Sequence, residues 1–202
     1  MALDRDQIVQ TALRLLDDVG FSTLSLRRLA KELDVHASAL YWHFENKQEL
    51  LDEMARAIML EVVSGDDPQV TADSWDEWLM HLGRAQRQAV RTHRDGPLLM
   101  LAARPLADYQ LGYLDWILNL LVSSGFSGQE AGQAFAVISN YALGTAIVEQ
   151  QQDGVRLADV DGALDAHPGL ASIAQAAADP DMIFESGLRW LVAGMRSSRA
   201  SD

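Results

Sequence analysis

Apolar residues fall at helical spacing along most of this chain. Ile8, Ala12, Leu15, Leu16 and Val19 recur every three or four positions, which puts them on one face of an amphipathic helix. The run Leu3-Asp4-Arg5-Asp6-Gln7-Ile8 predicts where that helix starts. Asp4 can cap it, Leu3 and Ile8 can staple across the cap, and Gly20 suits its C-terminal stop. Leu26, Leu29, Ala30 and Leu33 form a second apolar face. A turn at Asp34-Val35-His36 separates this from a short third helix, about Ala37 to His43. Asn46 can cap a fourth, with Glu49 placed to reach back. Leu50, Leu51, Met54 and Ile58 continue it.

Ser64-Gly65-Asp66-Asp67-Pro68 is the first clear break and the predicted domain joint. Beyond it the pattern predicts helices over about 74–92, 108–123, 128–152 and 180–196. Arg94-Asp95-Gly96-Pro97 stops the first of these, and a short turn leads to Arg104-Pro105. Ser124-Gly125-Phe126-Ser127 ends the second. Residues 153–168 read as a loop, followed by a weak Ala-rich helix, and 198–202 as a frayed tail. No segment reads as a strand. The expected fold is all-α: a helix-turn-helix unit over 1–46, a connecting helix over 47–63 and a second helical domain over 64–202.

Composition narrows the function. With 202 residues, 49% of them hydrophobic, the chain can bury a real core. The lack of cysteine excludes disulfides, thiolate zinc sites and cysteine catalysis. No apolar run approaches the ~18 residues of a membrane span. Asp4 and Asp6 stand where a signal peptide would carry cations. A cytoplasmic protein without membrane association is expected. The net charge of −13 argues against nucleic acid until it is divided along the chain. Residues 1–50 hold six Lys/Arg against eight Asp/Glu, the remainder ten against twenty-one. The acidity therefore lies away from the helix-turn-helix. Phosphate-binding, dinucleotide and nucleophile-elbow motifs are missing. Glu77 and His81 stand alone, without the second pair that a helical metal oxidase needs. Neither an enzyme nor a cofactor is expected.

Leu40-Tyr41-Trp42-His43-Phe44-Glu45-Asn46-Lys47 resembles the signature of the TetR family of one-component transcriptional repressors. Asn46-Lys47-x-x-Leu50-Leu51-Asp52, Ser74-Trp75, His93-Arg94-Asp95-Gly96, Arg104-Pro105, Gly125-Phe126-Ser127 and Leu143-Gly144 extend the similarity, collinearly, toward the tetracycline-repressor subgroup. The resemblance implies a homodimer that binds palindromic double-stranded operator DNA through its N-terminal helices and is released by a small-molecule effector. By motif position, DNA contacts fall on His36, Ala37, Ser38, Ala39, Tyr41, Trp42 and His43. Arg27 can pair with a guanine, and Lys47 can reach a phosphate. Trp42 has a plain alternative as a core residue, and His43 as a capping or packing one. Asp34 stands where the family prefers Gly, and Asp tolerates the left-handed region better than most residues.

In the resembling subgroup a histidine before the Arg-Pro turn holds the magnesium that accompanies the drug. Met100 stands there in this chain, and Ala103 takes the nearby hydroxyl position. A soft thioether and a methyl group do not hold a hard cation. The expected pocket is metal-free and apolar, lined by Leu82, Gln86, Met100, Ala103, Trp116, Phe135 and Ser139, with His81, Trp78 and Tyr113 as further candidates. Such walls suit a hydrophobic or aromatic effector. Ordinary core packing is the alternative for each.

Small residues over 128–152 (Gly132, Ala136, Ala142, Gly144, Ala146) and Ile183, Leu188, Leu191, Val192 and Met195 with Gly187 and Gly194 predict a four-helix dimer bundle. Arg94 or Asp95 is expected to lock its loop against the fourth helix. The competing function is a constitutive or partner-regulated DNA binder, or an activator, with no small-molecule inducer.

Overall fold

The computed structural model describes residues 3–63, 75–104, 108–152 and 179–199. They form α1 (Arg5–Val19), a 3-10 turn (Phe21–Thr23), α2 (Leu26–Glu32), α3 (Ala37–Leu40), α4 (Lys47–Val63), α5 (Trp75–Arg91), α6 (Gly96–Ala102), α7 (Asp108–Ser123), α8 (Gly128–Gln152) and α9 (Pro180–Arg199). No strand occurs among the described residues. The predicted joint at 64–68, the loop over 153–168 and the Ala-rich helix lie outside them.

Local chemistry explains the N-terminal elements. The Asp4 carboxylate accepts the Gln7 N–H at 2.9 Å, and Gly20, at φ 77°, ends α1. The Ser25 hydroxyl accepts the Arg28 N–H at 3.3 Å and starts α2. Asn46 accepts from Glu49 N–H at 3.0 Å, while Glu49 reaches back to the Glu45 N–H at 2.7 Å and caps α4. Ile8, Ala12, Leu16, Leu29, Leu40, Phe44, Leu50 and Met54 close one buried core. Full burial of each large apolar side chain stabilises by about 1.5–3 kcal/mol.

α5 and α8 form the spine of the second domain. Ala131, Ala134, Ala142 and Ala146 are buried on α8, and their small side chains let α5 approach closely. Over Gly128–Gln151, α8 is long and apolar enough to cross a membrane by length and composition alone, which the expectation of no membrane-length run did not foresee. Here it packs against α5, α6, α7 and α9. Gly83 leaves the space into which Leu188 and Ile138 fit. Arg87, 7% exposed, forks onto Glu149 and also reaches Asp181 at 2.6 Å, with its guanidinium 4.5 Å from the Phe184 ring centre. That pins α9 to α5 and α8. At the far end, Arg199 stacks 3.8 Å from the Phe126 ring centre and donates to the Ser124 carbonyl.

Two elements differ from expectation. α3 ends at Leu40, and residues 41–43 form a turn that brings Phe44 back into the core. The predicted turn before Arg104 is instead a helix, α6, with Pro97 in its first turn, where a missing N–H costs nothing.

Candidate nucleic-acid interface and effector pocket

The turn between α2 and α3 depends on Asp34, which adopts φ 53°. This left-handed residue lets the Val35 N–H donate back to the Ala30 carbonyl at 2.9 Å. Leu29, Ala30, Leu40 and Phe44 face inward. Leu33 and Val35 between them pack partly against the same core, and the other positions face outward to varying degrees. Arg27, His36, Ala37 and Ser38 are exposed, Ala39 and His43 half-buried. Tyr41 is 56% and Trp42 90% exposed. Such exposure rules out the core alternative for Trp42. Lys47 is exposed, its ammonium 5.7 Å from the Phe21 ring centre. All nine sequence-predicted DNA residues thus lie on α2, on α3 and the turns that flank it, and at the start of α4.

A groove runs along this face, lined by Arg27, Lys31, Asp34, Val35, His36 and Ala37. Lys31 was not among the predicted contacts. Its signal was present in the sequence: it stands four residues after Arg27, one turn along the same face of α2.

The predicted effector residues occupy four helices. Leu82 and Gln86 are buried one turn apart on α5, and Phe135 and Ser139 lie half-buried one turn apart on α8. Met100 is on α6 and Ala103 just past its end, both half-buried. Trp116 on α7 sets its ring edge-on to the buried Trp78, centroids 6.1 Å apart, but is itself 43% exposed. α5 packs on α8 and α6, and α8 also on α6 and α7. His81 is half-buried; the side chain of Tyr113 lies outside the described residues. The Gln86 Oε1 and Ser139 Oγ atoms are buried and have no hydrogen-bond partner among the described residues. Buried polar atoms are almost always paired, so these two, on α5 and α8, are candidates for contact with a ligand. Met100 and Ala103 offer no hard donor for a divalent cation, and among the described residues no three His, Asp or Glu cluster together.

The loop before α6 makes contacts that the sequence did not foretell. It locks against α1, not α4. Asp95 accepts the Phe21 N–H at 2.8 Å, and Asp17 accepts the Arg94 N–H at 2.9 Å and faces His93 Nδ1 at 3.0 Å. The α4 contacts lie at the other end of α6. Gln48 donates to the Ala102 carbonyl at 2.8 Å, and the Asp52 carboxylate takes the Arg104 N–H at 2.9 Å and its guanidinium at 2.7 Å. The α6 segment is therefore tied at both ends to the N-terminal domain, to α1 and the 3-10 turn at one end and to α4, which carries Lys47, at the other. Gln150 of α8 holds the loop from behind, donating to the His93 carbonyl at 2.9 Å.

Comparisons with known proteins agree with this architecture. Residues 8–54 match the model for bacterial regulatory proteins of the tetR family, and residues 67–199 that for the tetracyclin repressor-like C-terminal domain. The chain is similar to the class A tetracycline repressor from transposon 1721 of Escherichia coli, 35% identical over 98% of this chain and 92% of the relative. Among solved structures it is similar to ActR of Streptomyces coelicolor in complex with actinorhodin, with a TM-score of 0.85 at 29% identity over 98% of this chain and 99% of the other. A TetR variant from Acinetobacter baumannii AYE in complex with minocycline gives a TM-score of 0.78 at 30% identity, covering 98% of both chains. With both family models matched in order along it, the chain belongs to the TetR family of ligand-responsive transcriptional regulators.

Proposed function

We propose that this protein is a homodimeric repressor that holds a palindromic operator through Arg27, His36, Ala37, Ser38, Ala39, Tyr41, Trp42, His43 and Lys47, and lets go when a small apolar or aromatic molecule enters between α5, α6, α7 and α8. The observation that carries this reading is the position of α6. It bears Met100 and ends beside Ala103; the loop that leads into it is bonded to α1 and the 3-10 turn, and its C-terminal end to α4. A molecule that displaces α6 loads both of these ties at once, so occupancy of the pocket biases the orientation of the reading helices. Gln86 and Ser139 supply polar partners in otherwise apolar walls. Two of the similar structures are complexes with actinorhodin and with minocycline; the Met100 and Ala103 positions favour a metal-free mode here.

The dimer is supported by what α8 and α9 leave outside. Val137, Val148, Met182, Ile183 and Trp190 are all exposed, beside an open groove of about 450 Å3 lined by Tyr141, Gly144, Val148 and Ile183. Of the residues expected at the interface, Ala142, Ala146, Leu188 and Val192 face the protomer's own core, whereas Ala136, Gly144, Ile183 and Gly194 are exposed.

Selection of random double-stranded DNA by the purified protein tests the reading. A palindromic duplex should emerge, and planar aromatic compounds should release it with no dependence on added magnesium. Weak binding erased by moderate salt on every duplex would overturn the proposal, as would release by a tetracycline only in the presence of magnesium.

A further inference from the structure

Arg5 opens α1 and is not among the DNA-facing residues, yet one guanidinium joins three elements there. Its Nη1 donates to the His43 carbonyl at 2.5 Å. Its Nη2 donates to Glu49 Oε1 at 2.6 Å and Glu53 Oε1 at 3.2 Å. The group also lies 4.5 Å from the Phe44 ring centre. Glu49 is shared, because its second oxygen accepts the Glu45 N–H at 2.7 Å. Glu53 is steadied in turn by Arg56 at 2.5 Å. The bridge from His43 to Asn46 is thus held at a carbonyl, an aromatic ring and an amide, all by one guanidinium–carboxylate pair.

The need for such a clamp follows from the length of α3. Four residues make a single turn, which has no stability of its own. Its orientation must come from its two ends. Asp34 and Val35 fix the first end through the backbone. The second end, where Tyr41, Trp42 and His43 stand, is held by the burial of Leu40 and Phe44, by the His43 and Phe44 N–H groups on the Leu40 carbonyl at 3.0 and 2.9 Å, and by the Arg5 bridge, which is the one polar side-chain tie there among the described residues. The planar fork of Arg serves carbonyl and carboxylates together in a fixed geometry, which a single ammonium does not.

We infer that Arg5 is a positioning residue for DNA binding: acting through the His43 carbonyl and Glu49, it sets the angle at which Tyr41, Trp42 and His43 meet the duplex, without touching DNA itself. The inference rests on the proposed DNA-facing role of residues 41–43. Its rival is a direct phosphate contact by Arg5, whose side chain is 40% exposed. The two roles give opposite signs at Glu49. If Arg5 met phosphate, removing the neighbouring carboxylate would free the cation and strengthen binding. If Arg5 works through Glu49, the same change weakens it.

The experiment uses full-length protein and the tightest duplex recovered by selection from random double-stranded DNA, with sheared genomic DNA as the non-specific probe. Arg5→Ala and Glu49→Gln should each lower affinity for the selected duplex on the order of tenfold. The double variant should be no weaker than the weaker single, because both act on one unit. Melting curves establish that the variants are folded at the assay temperature. Arg5→Lys, the milder change should Arg5→Ala fail to fold, should bind genomic DNA like the wild type yet lose specific affinity. Tighter binding by Glu49→Gln, or wild-type specific affinity in Arg5→Lys, would overturn the inference. Trp42→Ala separates the two levels. If it weakens specific binding while the Arg5 and Glu49 variants do not, only the positioning role falls. If Trp42→Ala has no effect, the DNA-facing assignment falls and the positioning role with it.

Discussion

Gly96 shows how little room the junction between the two domains leaves. A Cβ on this residue would lie 2.2 Å from the Val90 carbonyl oxygen, a backbone atom that no rotamer change can move. The neighbouring Asp95 already adopts φ 55° to turn the chain, and its carboxylate sits close to Gly20 while accepting the Phe21 N–H. Gly96→Ala must therefore shift the α5–α6 loop as a whole. It is expected to cost about 1–3 kcal/mol, read as a lower denaturant midpoint at unchanged m-value. The sequence marked His93-Arg94-Asp95-Gly96 as a helix stop but gave the wrong partner. A stop is a local property of turn residues. Which surface the loop then meets depends on how α5 and α1 pack, and no local pattern carries that information.

At the scale of elements, legibility followed length. α1, α4, α5, α8 and α9 each repeat an apolar face over several turns, and their predicted spans hold within a few residues. The short elements are unevenly legible: Leu26, Leu29, Ala30 and Leu33 disclose α2, but the pattern extends α3 about three residues too far and marks α6, as short as α2, only as a turn. Yet α6 is the element whose ties matter most, and its tie to α4 titrates. Burial alone would raise the Asp52 carboxyl, but the Arg104 N–H, the Gln48 amide and the Arg104 guanidinium hold it below the ordinary carboxylate range. A carboxylate depressed in the folded state stabilises at pH above its unfolded value, and that contribution fades as pH falls through the folded value. Arg104 is largely exposed, so the ion pair itself is screened and the tie is worth only about 1 kcal/mol. Asp52→Asn is accordingly expected to melt below the wild type at neutral pH, with the gap closing under acid conditions. A gap that stayed constant with pH would mean that Asp52 acts by shape alone.

For the whole molecule, the proposed reading head was legible because its residues come from one contiguous stretch, 27–47, with core residues interleaved. The proposed pocket was legible only as candidates, since the residues named for it come from separate helices and their convergence depends on packing. The proposed dimer surface was half legible: small residues marked α8 and α9 but not which of their faces turns outward. That outward face poses an electrostatic problem. Each protomer carries a formal charge of −13, so two of them repel, and association must come from apolar burial. Trp190 is the largest exposed apolar side chain on α9, at 75%, and large aromatics dominate interface energetics. Trp190→Glu removes that area and adds one more negative charge per protomer at the contact. The expected result is a dimer dissociation constant at least about thirtyfold higher, measured by sedimentation, with operator affinity falling in parallel because a lone reading head makes too few contacts. Salt supplies the check on cause. Screening should strengthen self-association of like-charged protomers while weakening their hold on DNA. Unchanged sedimentation of Trp190→Glu would move the interface off this face.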